Sequence, residues 1–288
     1  MREGTSGSCE YGGGKQRVMT KDIAEYLSGK KLYGDDFSTE DIRRWYQDER
    51  EAYADLYVRP SGANFRYRYQ VLDRFHAWRH LPVRRFQHAL GIGSATGDEF
   101  LPVLDQISEI TILEPSSYYA NWNNIGGVPA RWIRPEISGD IPFPANAFDL
   151  ITCLSALHHI PNVSHVIDEC ARVLAKDGVF VVREPVISMG DWRHTRPGLT
   201  IRERGIPRPL LFRFLKDAGL RIICKSTWSH PLIDVPLALV GREPYNNFLA
   251  TYIDALLSRL FAWSYRYHRT NLIHKLAPRA MYFVVRHK

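Results

Sequence analysis

Cysteine is scarce in this chain. Four are present among 288 residues, Cys9, Cys153, Cys170 and Cys224, and none stands at a metal-ligand spacing or in a disulfide framework. A zinc-stapled or disulfide-held scaffold is thereby excluded, and a reducing, cytoplasmic setting is expected. Long hydrophobic runs are also lacking, since no stretch reaches the ~20 apolar residues of a membrane span. Residues 1–17 are Gly/Ser-rich and polar, without the apolar segment of a secretory signal, and are expected to form a disordered tail. Basic blocks are missing too. The net charge of +7 is spread along the chain, which gives no clear sign of a nucleic-acid partner. No carboxylate cluster points to a metal, and none is expected.

What the chain does have is apolar content, 45% hydrophobic residues, enough for a packed core. It also has an unusual turn. The apolar run Phe86–Leu90 feeds Gly91-Ile92-Gly93-Ser94-Ala95-Thr96-Gly97, and Asp98-Glu99 then opens a predicted helix. Glycines allow a tight bend and close backbone approach, and a helix N-terminus offers free N–H groups to a polar ligand. Seventeen residues after Gly97, the strand Ile110–Leu113 ends in Glu114, followed by Pro115. A carboxylate about 20 residues beyond such a loop can bind both hydroxyls of a ribose. A solvated strand-end Glu is the bland alternative.

Further segments follow in line. Ser138-Gly139-Asp140-Ile141-Pro142-Phe143 precedes the strand 147–154, which holds Cys153 and Leu154. Leu157-His158-His159 precedes an amphipathic helix ending near Leu174. Lys176-Asp177-Gly178 then leads into the strand 179–185, which carries Glu184. Alternating strands and helices over 84–184 imply an α/β fold with a doubly wound, mostly parallel sheet, whose ligands bind at the carboxyl ends of the strands.

Taken together, these pieces resemble the class I S-adenosylmethionine-dependent methyltransferases. The look is closest to the type 11 branch that includes the ubiquinone and menaquinone methyltransferases. The resemblance implies a Rossmann-like sheet with an antiparallel last strand, and S-adenosylmethionine as cofactor. The turn Gly91, Gly93, Ser94, Ala95 and Gly97 would take its methionyl part and Glu114 its ribose. Asp140 would accept from the adenine amino group, Ile141 would pack on the ring, and Cys153 and Leu154 would line the pocket. His158 and His159 would lie near the methyl group, with His159 favoured as a general base. Two departures stand out. Gly91 occupies the place of a family acid, whose role would pass to Asp98 or Glu99, and Ala95 replaces the middle glycine.

The remaining segments are organised around that core. Residues 18–82 read as an N-terminal helical cap, with helices over 41–56 and 67–81. The core spans 83–228, a helical insertion 229–279, and the last strand 280–288. The loop 185–209 is long and rich in arginine. Arginine there suits a phosphate or carboxylate, so Trp192, Arg193, His194 and Arg196 are candidate substrate contacts. Glu184 and Asp191 join the histidines as candidate bases. An apolar stripe over 245–267 fits a packed cap, a dimer interface or a peripheral membrane contact.

The expected activity is O-methylation of a polar small molecule or glycan precursor. A quinone or lipid methyltransferase, a non-catalytic scaffold of the same fold and a nicotinamide-dependent oxidoreductase compete with it. The Asp140–Phe143 and Leu157–His159 segments argue against the last of these. Oligomeric state is not read from the sequence.

Overall fold

The computed structural model describes residues 23–57, 67–119, 121–192, 194, 196 and 198–288. The expected tail and Arg193 therefore lie outside the described residues. The apolar runs become strands β1 (Phe86–Ile92), β2 (Ile107–Leu113), β5 (Phe148–Leu154) and β6 (Leu174–Pro185). They pair in parallel, β2 and β5 on either side of β1, with β6 beyond β5. Val179 to Val182 are all fully buried, because a parallel sheet is covered on both faces.

Two strands escape the sequence reading, β3 (Asn124–Ile125) and β4 (Val128–Ile133). Pro129 and Arg131 disguise β4, and Pro129 is tolerated because the only strand beyond it is the two-residue β3. At the other edge, β7 (Leu220–Trp228) and β8 (Ala280–His287) form the expected antiparallel pair. The sheet order is β3-β4-β2-β1-β5-β6-β8-β7.

Side chains alternate between two apolar layers, as the period of a strand requires. One layer joins Leu90, Ile151, Phe180 and Phe283 to Trp45 of α2 (Thr39–Tyr57) and to Leu211 of α5 (Arg208–Asp217). It also covers α4 (Val163–Val173). The other layer joins Ala89, Leu150, Val181 and Tyr282 to Leu72 of α3 (Gln70–His76). A short α1 (Ile23–Leu27) precedes α2. Ser38 caps α2, its hydroxyl accepting the Asp41 N–H at 3.2 Å. The predicted helix over 67–81 is shorter in the structure, ending at His76 before a 3₁₀ turn over Trp78–His80.

The segment after the glycine turn is also corrected. Asp98–Gln106 is 3₁₀ helix, not α-helix. Pro102 has no N–H to return to Asp98, so α-helical bonding cannot close there. The 229–279 segment contains α6 (Pro231–Leu239), α7 (Phe248–Leu260) and α8 (Leu272–Lys275). Among the described residues no helix is long and apolar enough to cross a membrane.

Candidate active site

The turn after β1 is held by left-handed backbone at Gly93, Ala95 and Gly97, with φ of +63°, +47° and +75°. Ala95 carries a Cβ where L-residues are disfavoured by roughly 1–2 kcal/mol. Its geometry is locked on both sides. Its N–H donates to Glu114 Oε2 at 3.1 Å, and its carbonyl accepts from Trp132 Nε1 at 2.7 Å. Gly91 and Gly97 serve packing behind the turn. A Cβ on Gly91 would meet Ser94 Oγ at 2.4 Å, and one on Gly97 would meet Ile125 at 2.3 Å.

Glu99 lies in the same place. Its carboxylate accepts the Ser94 hydroxyl at 2.5 Å and the Thr152 hydroxyl at 3.1 Å. Thr152 is the register partner of Gly91 on the neighbouring strand. The 3₁₀ segment thus delivers a carboxylate beside the strand position where the resemblance led us to expect one. Burial pushes the Glu99 carboxyl up to about 7.

These groups line a cavity of about 980 Å³ at the carboxyl edge of the sheet. Gly93, Ser94, Ala95, Glu114 and Pro115 form one part of its wall, and Asp140, Ile141 and Leu154 another. Cys153 does not reach it. Its side chain is fully buried in the core, where desolvation holds the thiol well above its usual range.

The cavity fits S-adenosylmethionine. Each Glu114 oxygen accepts one backbone N–H, from Ala95 at 3.1 Å and Ser116 at 3.2 Å. A carboxylate has about four acceptor sites, so capacity remains for two ribose hydroxyls. Asp140 is oriented by His165 at 2.8 Å and Ser138 at 2.7 Å beside the apolar Ile141, a polar edge next to a flat surface.

The histidines separate into different roles. His158 is buried, its Nδ1 is 2.8 Å from Glu184 and its Nε2 is 3.6 Å from Glu203. Desolvation holds its pKa well below the ordinary value, and its Nδ1 shares a hydrogen bond with Glu184. The other Glu184 oxygen accepts the N–H groups of Ala156 and Leu157 at 2.9 and 2.7 Å. Glu184 has no exposed surface and lies outside the cavity wall. It positions the Leu157–His159 turn and is no base facing the crevice. His159 does line the cavity, and its Nδ1 is 2.9 Å from Glu49 Oε2 of α2. His158, His159 and Glu203 offer ligand atoms within 4.8 Å of one another, a juxtaposition that sequence separation conceals.

The 185–209 loop is built differently from its expected role. Trp192 is buried, stacked on Tyr33 at 5.3 Å, with its indole N–H on the Ser188 carbonyl. Arg196 binds the loop's own carbonyls at Met189 and Thr200. His194 is exposed and 4.0 Å from Asp191. Asp191, Trp192, His194 and Arg196 all lie outside the cavity wall. Arg204, fully buried, binds the carbonyls of Tyr33, His158 and Ile160. It pins the histidine turn to the segment before α2, because a guanidinium offers five donors in a fixed fork.

Sequence reasoning missed Tyr46, Glu49, Tyr67, Tyr69 and Arg183, all of which line the cavity. Arg183 pairs with Asp73 of α3 at 2.8 Å and lies 4.3 Å from the Tyr69 ring. Its place beside Glu184 at a strand tip was the available signal. The partners on α3 were not visible without the fold.

Comparison with known proteins agrees with this geometry. Residues 90–182 match the family model described as "Methyltransferase domain". A Bacillus subtilis (strain 168) protein named uncharacterized methyltransferase YcgJ is 48% identical over 106 residues, covering 34% of this chain and 41% of that protein. The chain thus spans less than half the length of this relative. Among solved structures, one of the Haloferax volcanii Trm112 methyltransferase activator in complex with a methyltransferase aligns at 14% identity and TM-score 0.51. That alignment covers 85% of this chain and 96% of the other. The YcgJ structure aligns at 17% identity and TM-score 0.46, covering 71% and 94%. Residues 90–182 thus match a methyltransferase domain, set in a Rossmann-like sheet.

Proposed function

We propose that the whole chain is an S-adenosylmethionine-dependent methyltransferase that methylates an oxygen of a polar small molecule or glycan precursor. The observation that carries this reading is the extent of the cavity. Besides the groups suited to the cofactor, its wall includes His159, Glu49, Tyr46, Tyr67 and Tyr69, a set of acceptors, donors and rings. Hydroxylated acceptors need such a mixture.

Bound S-adenosylmethionine supplies an electrophilic methyl group on a sulfonium that is itself the leaving group. Gly93, Ser94 and Ala95 would face its methionyl part, Glu114 its ribose, and Asp140 with Ile141 its adenine. His159 Nδ1 is held against Glu49, and Nε2 is the ring nitrogen that this reading assigns as the base. That nitrogen would take the proton from the acceptor hydroxyl, and Glu49 would stabilise the imidazolium formed. Arg183, Tyr67 and Tyr69 form part of the cavity wall. The acceptor contacts on this reading come from α2, the stretch just before α3 and the histidine turn, in place of Trp192, His194 and Arg196.

Calorimetric titration with S-adenosylmethionine and its demethylated product tests the cofactor half. A methyl-transfer screen over sugars and sugar nucleotides tests the acceptor half. Binding without turnover on any hydroxylated acceptor would turn the reading toward another acceptor class, and no binding toward a scaffold.

A further inference from the structure

The apolar stripe of α7 points away from the protein. Phe248, Leu249, Leu256 and Leu260 are exposed by 66, 65, 57 and 62%. The side chains turned inward are Thr251, Asp254 and Ser258, all with no exposed surface. A helix packed on a core by its apolar stripe has the opposite arrangement. The inversion is fixed by hydrogen bonds: the Asp254 carboxylate accepts the N–H groups of Ser229 and His230 at 3.0 and 2.7 Å. The neighbouring α6 repeats the pattern. Asp234 is buried, accepting the Ser229 and Tyr245 hydroxyls at 2.8 and 3.2 Å, while Leu239 and Val240 are exposed. Trp263 follows α7 and is also exposed.

We propose that this outward face of α6 and α7 docks on an anionic lipid bilayer. The charge around it selects the occupant. Between residues 231 and 279 the exposed cations are Arg242, Arg259, Arg266 and Lys275, and Glu243 is the one exposed acid. Both aspartates of that stretch, Asp234 and Asp254, are turned inward and bonded. A second copy seated by a two-fold axis would set this net-positive patch against an equally positive one. A bilayer with anionic headgroups brings phosphates to the cations and an apolar boundary to the leucines. Tyr252 and Trp263, each apolar with one polar tip, suit the interface between the two. The inference is independent of the methyl-transfer reading, because these helices lie outside the cavity wall.

Co-sedimentation of the full chain with vesicles tests it. One vesicle preparation is phosphatidylcholine alone and the other an equimolar mixture with phosphatidylglycerol. Binding to the anionic vesicles that weakens as salt rises is expected. The double variant Leu249→Asp/Leu256→Asp and, separately, Arg259→Glu/Arg266→Glu are each expected to lower it by about tenfold or more, with cofactor binding unchanged in both. No sedimentation with anionic vesicles would overturn the proposal. So would unaltered binding of either variant, or a stable dimer in solution that Leu249→Asp/Leu256→Asp dissociates.

Discussion

His159 Nδ1 lies 2.9 Å from Glu49 Oε2, across 110 residues of chain. Glu49 also accepts the Thr200 hydroxyl at 2.9 Å and the Arg202 N–H at 3.1 Å. One carboxylate therefore joins α2, the histidine turn and the arginine-rich loop. Replacing His159 by Ala removes the proposed base while leaving the cofactor wall intact. Turnover is expected to fall about 100-fold, with the dissociation constant for S-adenosylmethionine unchanged by calorimetry. Full turnover would return His159 to a structural role.

Glu114→Ala removes the acceptor for two hydroxyls and unpairs the N–H groups of Ala95 and Ser116. Hydrogen bonds to a charged group contribute roughly 1.5–3 kcal/mol each. Cofactor affinity should therefore fall about 100-fold or more, with circular dichroism showing the fold retained. An unchanged dissociation constant would sink the assignment.

Ala95→Gly relieves a left-handed Cβ, and the gain is partly offset by the greater freedom of glycine in the unfolded chain. The net expectation is a stabilisation of about 0.5–1 kcal/mol in a denaturant titration. A loss of stability would show that the Ala95 methyl makes packing contacts worth more than the strain.

Glu99 makes stability depend on pH. Its folded pKa is raised from 4.5 to about 7 by burial, so the folded state keeps a proton that the unfolded chain has released. Its contribution is full below the unfolded value and is lost as pH rises through 7. Glu184, raised to about 7 by the same cause, acts in the same direction. Glu99→Gln should flatten the fall in melting temperature between about pH 5 and 7. An equally steep fall in the variant would assign it to Glu184 or other groups.

Methyl transfer from a sulfonium needs no Lewis acid, and the expected effect of a chelator on turnover is none. A loss with EDTA that a divalent cation restores would give His158, His159 and Glu203 a ligating role.

The sequence by itself determined the parallel sheet, the glycine turn and the groups that suit the cofactor. These features are local: strand, turn and strand-end acid lie close in the chain, and their spacing follows from the geometry of a single βαβ unit. Gly93, Ala95 and Glu114 lie at the strand tips so anticipated, and Asp140 and Ile141, expected from the family resemblance, line the same cavity. Tertiary structure decided the rest. Glu184 looked like a residue facing the crevice, and only the fold shows both its oxygens turned to the histidine turn. Arg204 belongs to a loop whose arginines read as suited to a substrate phosphate or carboxylate, yet the carbonyls it satisfies come from Tyr33 and His158. The stripe of α7 reads as a packed cap, a dimer interface or a membrane contact, because periodicity reports which residues share a side and not which way that side points. Asp254, bonded to the chain before α6, sets that direction. Contacts between residues more than a hundred positions apart leave no periodic trace, so Glu49, Asp73 and Arg183 emerge as partners of the site only once the chain is folded.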